Sequence, residues 1–546
     1  MRAADLIVKC LEAHGIERVY CVPGESYLAL LDALYDSSIK VIICRHESGA
    51  GFMAIAEARL TGKPAVFMVS RGPGATNGSI AIHVAEQDAT PVLLFVGQVS
   101  RIERSRGAFQ EVDYGQFFGG MAKGIYEVNE GAKIGEIVTR SLRLAGEGKP
   151  GPVIISLPED VLSDEAGDTV SSPFPVAAAR HGASDITAIQ AMIDAAEHPL
   201  IVAGAMLRGA KGAVALERFA EALRIPVAVT WKNQDIFDNG SPLYAGHLGF
   251  GNPPKHRQVL GSSDLIIAVG TRLGDVASLN YTFPTAPQPK QKLIHIYPDG
   301  EPIGKVFRTD FGLIADPAAV LTDLAAHPRV VSSARESWRS SINEFVREFQ
   351  RFTSPEPNDA VDFGKVVVSI AAQAPDDAII TTDAGNMSTW VHRHWVMTPK
   401  NTLLGAIAGA MGFGVPTAVA AAIVDSTRMA ITFVGDGGIL MTGQELATAV
   451  QYGAKPKVVI SDNGIYGTIR THQERHYPHR VSGTDLVNPD FTLWAKSFGV
   501  FTVTIIQGDD IDAKVKEFLA HDGAAVLHVK SSKEALSAFT TLSALN

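Results

Sequence analysis

Two short segments carry the side chains that could hold a divalent cation beside an anion. One is Gly435-Asp436-Gly437-Gly438, directly after the apolar run Ala430–Val434; the other is Asp462-Asn463-Gly464, directly after Lys457–Ser461. Each alone is a common turn sequence. At the carboxyl ends of adjacent parallel strands they become one site, because open α/β sheets gather their ligands there. Magnesium favours oxygen ligands and is typically shared between one or two protein groups and phosphates. The Asp436 carboxylate, the Asn463 amide oxygen and a backbone carbonyl near Ile465 can supply the protein share. Gly435, Gly437 and Gly438 let backbone N–H groups approach a diphosphate.

Other residues with chemical potential also follow strand-like runs. Glu47, in Arg45-His-Glu-Ser-Gly-Ala50, follows Val41–Cys44 and opens a helical pattern. By position alone it is an acid complementing a helix N-terminus. Glu25 lies in Cys21-Val-Pro-Gly-Glu-Ser26, Gln110 in Gly107-Ala-Phe-Gln-Glu-Val-Asp113, and His472 in Tyr466-Gly-Thr-Ile-Arg-Thr-His472. Glu25 reads either as a buried proton donor or as a loop acid. An exposed glutamine or a lone helical histidine needs no functional reason.

The elements that must position these residues are short apolar strands alternating with helices, such as Ala65–Ser70, Val92–Val96, Val153–Leu157, Leu265–Val269 and Ala378–Thr382. Continuously apolar strands of this kind belong to parallel sheets covered on both faces. The fold class is therefore α/β, with three doubly wound parallel-sheet domains. Weakly patterned linkers over Ala166–Ser184 (with Pro173 and Pro175) and Pro328–Asp359 divide the chain into 1–165, 185–330 and 360–546. The second linker also contains a charged helical stretch.

Composition excludes several classes. The 546 residues carry a formal net charge of -10, which does not suit a nucleic-acid binder. Cys10, Cys21 and Cys44 form no CxxC motif, and their odd count fits buried thiols in the reducing cytoplasm. The uncharged stretch Leu403–Val424 is long enough to cross a bilayer. Its glycines and Pro416 instead mark a tight loop entering a fully buried helix.

The Gly435–Gly438 loop followed by Asn463 resembles the pattern of thiamine diphosphate enzymes. Nearly the whole chain looks like the acetolactate synthase and pyruvate oxidase branch. The resemblance implies thiamine diphosphate and magnesium as cofactors, with Asp436, Asn463 and the Ile465 carbonyl as metal ligands. It places Gly435, Gly437, Gly438, Ile465 and Tyr466 on the cofactor, with Gly385, Asn386 and Met387 forming a second diphosphate loop. Met411 would prop the bent cofactor, and the Gly409 carbonyl would accept from its amino group. Glu47, in a motif similar to the family's activating glutamate, would face the pyrimidine of a neighbouring chain's cofactor. A homo-oligomer with active sites at the subunit interface follows. Ser70-Arg-Gly-Pro-Gly-Ala-Thr-Asn77 and the segment around Gln110 resemble substrate-side loops.

The implied activity is decarboxylation of a pyruvate-like 2-oxo acid with carboligation to a second carbonyl. Departures at Glu25 and His472 keep open simple decarboxylation, or a 2-hydroxyacyl-CoA lyase or oxalyl-CoA decarboxylase-like reaction. The segments Gly204–Gly209, Gly246–Gly251 and Gly270–Gly274 partly match places where acetolactate synthases hold FAD, and leave FAD open. A Rossmann oxidoreductase would need GxGxxG after a strand with an acid about twenty residues on, and no segment provides both. A non-catalytic relative should lack Glu47 or Asp436, and both are present.

Overall fold

The computed structural model describes residues 1–173, 176–327 and 332–545; Pro175, Pro328 and the expected domain ends at 330 and 546 lie outside them. Three six-stranded sheets follow one another along the chain. The first holds β1 (Arg18–Cys21), β2 (Lys40–Ile43), β3 (Ala65–Val69), β4 (Val92–Gln98), β5 (Gly124–Glu127) and β6 (Pro152–Pro158). The second holds β7 (Pro199–Ala203), β8 (Val227–Thr230), β9 (Tyr244–Leu248), β10 (Leu265–Val269), β11 (Lys292–Tyr297) and β12 (Phe311–Ile314). The third holds β13 (Ile379–Thr382), β14 (Thr402–Gly405), β15 (Ala430–Gly435), β16 (Lys457–Asp462), β17 (Phe501–Ile505) and β18 (Ala525–Lys530). Every pairing within these sheets is parallel.

The first sheet runs in the order β2-β1-β3-β4-β6-β5, and the third in the matching order β14-β13-β15-β16-β18-β17. The second runs β12-β11-β10-β7-β8-β9, a different winding. Strand order reverses between β1 and β3, between β7 and β10, and between β13 and β15. Crevices open at the carboxyl ends of such pairs.

The charged helix Ser333–Gln350 in the second linker packs Trp338, Ile342 and Val346 into the core of the middle sheet. Apart from buried Arg335, its charged residues lie toward solvent, so a boundary read from charge alone hides an apolar stripe. The uncharged Leu403–Val424 stretch becomes β14, a glycine-rich turn and the buried helix Gly414–Val424. That helix packs on the helix Glu47–Thr61, with Phe413 meeting Phe52 edge-on at 5.3 Å between ring centroids. One apolar core thus runs through the first and third sheets. Among the described residues no helix is long and apolar enough to cross a membrane. All three cysteines are buried and unpaired.

Candidate active site

A cavity of about 250 Å³ opens at the carboxyl ends of β13, β15 and β16. It is lined by Gly385, Asn386, Met387, Gly409, Met411, Gly435, Asp436, Gly437, Gly438, Asn463, Ile465 and Tyr466. Segments as far apart in sequence as Gly385 and Tyr466 therefore converge there because three strand ends meet.

Asp436 opens the short helix that follows β15 and is 3% exposed. One carboxylate oxygen accepts from the Gly437 N–H at 2.9 Å. The other accepts from the Gly464 N–H at 2.7 Å and from Asn488 Nδ2 at 2.8 Å. Burial raises the Asp436 carboxyl above its ordinary value, against the pull of the Asn488 amide and those N–H groups. All of these donors are neutral, so a cation fits the remaining oxygen valence.

Asn488 also donates to Asp462 Oδ1 at 2.7 Å. Burial would raise Asp462, but hydrogen bonds from His528 (2.8 Å) and Lys530 (2.7 Å), with that from Asn488, hold it well below the usual carboxylate range. Asn488 lies in an irregular segment with no motif, and nothing in its local sequence points to this role.

Two of the glycines are tightly confined. A Cβ on Gly437 would lie 2.4 Å from the Tyr466 ring. Gly385, with φ +135, would drive a Cβ to 2.9 Å from Met387 Sδ. Asn386 is tied to the helix Gly467–His476, donating to Thr471 at 3.1 Å and accepting from Thr468 at 3.0 Å. Behind the cavity, fully buried Asp383 accepts from the N–H groups of Ala384 (2.7 Å), Gly412 (3.0 Å) and Gly414 (3.0 Å). It thereby fastens the Gly409–Gly414 turn to the end of β13. Burial pushes its carboxyl up to about 6.

Glu47 does not line this cavity. It begins the helix after β2, on the crevice of the first sheet, and accepts from Asn77 Nδ2 at 3.0 Å. The turn before it is held by Glu445 of the third unit, a fully buried carboxylate that accepts from the N–H groups of Arg45 (2.9 Å) and His46 (3.0 Å). Burial raises Glu445 above its ordinary value, against those bonds and the Thr448 hydroxyl. Nothing in the local sequence around Glu445 marks this role.

Glu25 and Gln110 share the first sheet's crevice with Glu47. Glu25 pairs with Arg71 at 3.1 Å and is 68% exposed, so the burial weighed for it is not found within one chain. Gln110, at φ +65, accepts the Gly72 N–H through its own carbonyl at 3.1 Å. His472 sits apart from them, exposed on its helix and stacked on His476. It borders a second cavity of about 350 Å³ that shares Gly385, Asn386 and Gly409 with the first.

A third cavity, of about 440 Å³, lies at the middle sheet's crevice. Ala205, Phe250, Gly270, Thr271, Arg272 and Gly274, from the three segments weighed for FAD, line it together with Asp88 and Gly409. All three units therefore contribute to it.

Family models match three stretches of the chain. They are the N-terminal TPP binding domain of thiamine pyrophosphate enzymes over residues 1–117, the central domain over 186–324, and the C-terminal TPP binding domain over 383–529. Among similar proteins is the acetolactate synthase large subunit of Parasynechococcus marenigrum (strain WH8102), 32% identical over 96% of this chain and 85% of its own length. The isozyme 1 large subunit of Escherichia coli (strain K12) is 32% identical over 97% of this chain and 94% of its own. The probable acetolactate synthase large subunit of Methanocaldococcus jannaschii is 32% identical over 97% and 92%.

Proposed function

Since the chain belongs to the thiamine pyrophosphate (thiamine diphosphate) enzymes, in the company of acetolactate synthase large subunits, we propose that it decarboxylates a pyruvate-like 2-oxo acid and joins the remaining fragment to a second carbonyl compound. The observation that carries this reading is the convergence of Asp436, Asn463, Gly437 and Met411 on one cavity.

In this reading Asp436, Asn463 and the Ile465 carbonyl hold magnesium, which neutralises the diphosphate. Gly385, Asn386, Met387, Gly437 and Gly438 form its cradle, and Tyr466 closes over Gly437. Met411 would pack against the bound cofactor, and the Gly409 carbonyl would accept a hydrogen bond from it. When bound, thiamine diphosphate would supply the nucleophilic carbon and the electron sink that decarboxylation of a 2-oxo acid requires. The Glu47 carboxylate holds a proton at the pyrimidine ring nitrogen, and Asn77 orients it. Because Glu47 lies outside its own chain's cavity, this role supports a homo-oligomer in which one subunit's first unit faces another's third. Glu25 and Gln110 then join the substrate side from the Glu47 crevice, with His472 opposite.

We take 1–165 as the pyrimidine-binding unit, 185–330 as the middle unit and 360–546 as the diphosphate-binding unit. Buried unpaired thiols support a cytoplasmic setting. The 440 Å³ cavity is where FAD would sit, and the visible spectrum of the purified protein tests that occupancy.

The deciding assay supplies pyruvate, magnesium and thiamine diphosphate and measures carbon dioxide and hydroxyketo acid together. Both should form. Carbon dioxide with aldehyde alone would reduce the activity to decarboxylation, and neither product would refute the reading.

A further inference from the structure

The cavity beside the diphosphate site is larger than a three-carbon oxo acid requires. At about 350 Å³ it falls within the range of about 300–1,000 Å³ typical of pockets for much larger ligands. Three aromatic rings stand in its wall among polar and small residues: Trp231 and Phe250 come from the middle unit, and Phe539 from the C-terminal segment.

These rings are held in place. Trp231 lies 4.4 Å from His392 and 5.6 Å, edge-on, from Phe250, measured between ring centroids. Phe539 stacks on Phe349 at 6.0 Å, and the Arg393 guanidinium lies over both rings. Gly251, at φ +81, lets Phe539 close in, since a Cβ there would lie 2.0 Å from its ring. Any other residue at 251 would displace this wall.

The charge of the cavity has one sign. No acidic side chain lines it, while Lys232 and Arg475 do. Arg475 is exposed at the rim and forms no ion pair among the described residues. Phe250 is 58% exposed, an unsheltered ring lining the same cavity. Aromatic walls with a free guanidinium at the mouth suit a planar apolar group carrying a carboxylate.

We propose that this cavity takes a 2-oxo acid with an aryl-sized side chain, seated among Trp231, Phe250 and Phe539 with its carboxylate toward Arg475. The proposal rests on the thiamine-site reading above and narrows its substrate class. In ligation the acceptor's carbonyl carbon gains the new C–C bond and its oxygen takes a proton, while the donor loses carbon dioxide. The aryl compound enters either as acceptor, with pyruvate as donor, or as donor.

The test uses the full-length protein with phenylpyruvate as probe. Phenylpyruvate should quench tryptophan fluorescence saturably, and Trp231→Phe should remove that quench. Phe250→Ala and Arg475→Met should each raise the half-saturating concentration on the order of 10-fold. Turnover of phenylpyruvate with pyruvate should yield a phenyl-bearing hydroxyketo acid if it is the acceptor. Phenylpyruvate alone should release carbon dioxide if it is the donor; either product supports the proposal. Ligation of pyruvate with neither quench nor conversion of phenylpyruvate would overturn the cavity assignment and leave the reaction class standing. If no 2-oxo acid is turned over, the reaction class fails, and the fluorescence titration still decides the cavity.

Discussion

Asn488 donates from a single amide nitrogen to Asp436 at 2.8 Å, and this contact fixes the carboxylate that faces the candidate cation site. The same nitrogen reaches Asp462, so one neutral side chain bridges two buried carboxylates. Groups that orient a metal ligand are commonly worth about 10- to 100-fold in metal affinity. Asn488→Ala should therefore weaken magnesium-dependent thiamine diphosphate binding by about that factor, measured by calorimetry. Unchanged affinity would remove Asn488 from the site.

Glu47 and Asp436 lie in different crevices of one chain, which gives a complementation test. Glu47→Gln and Asp436→Ala should each lower turnover roughly 100-fold or more, as expected for loss of proton transfer or of the metal. Mixing the two variants after dissociation should restore part of the activity, because hybrid assemblies hold one intact site. A mixture as inactive as its components would place both residues in the same subunit's site.

Gly437→Ala tests the cradle by sterics alone. A methyl group 2.4 Å from the Tyr466 ring must push that ring away. Cofactor affinity should fall while the melting temperature changes little, and Tyr466→Ala in the same chain should recover part of the affinity. No loss in the single variant would show that Tyr466 moves freely.

The seam between the units holds a buried ion pair, Arg59 with Asp88 at 3.4 Å. Asp88 also accepts the Ile407 N–H at 2.8 Å, and Arg59 donates to the Leu403 and Gly405 carbonyls. Burial lowers Arg59 to about 9. Removing one partner of a buried pair costs about 3–5 kcal/mol. Asp88→Asn should lower denaturant stability by an amount of that order; a loss below about 1 kcal/mol would show that the seam relaxes around the change.

Asp383 supplies a pH signature. Its folded value of about 6 lies above its ordinary 3.8, so the folded state binds the proton more tightly. Its contribution to stability is complete below 3.8 and is lost as pH rises through about 6. Wild type should lose stability relative to Asp383→Asn between about pH 4 and pH 6, read from paired thermal melts. Parallel profiles would mean that Asp383 is not protonated in that range.

The strand ends were legible because each functional loop directly follows an apolar run, and periodicity marks where such runs stop. Asp436, Asn463 and Gly385 could therefore be placed on one side of one sheet before any contact was known. Asn488 and Glu445 could not. Asn488 follows no strand, and Glu445 acts on the Arg45 and His46 backbone some 400 residues away. The Glu25–Arg71 pair was hidden for a similar reason, since Arg71 comes from the end of a neighbouring strand. The aromatic cavity was equally hidden, because Trp231 and Phe539 meet only through the packing of separate units.

The first and third sheets share one strand order on either side of a differently wound middle. A ligand gripped between them is met at each end by the same architecture, seen twice. That repetition points to duplication of an ancestral unit that once paired with itself. In the proposed reading one copy supplies the acid for the ring and the other the glycines and metal ligands for the phosphates. The middle unit, wound differently, stands outside that repeat and lends its own residues to the cavities beside the proposed cofactor site.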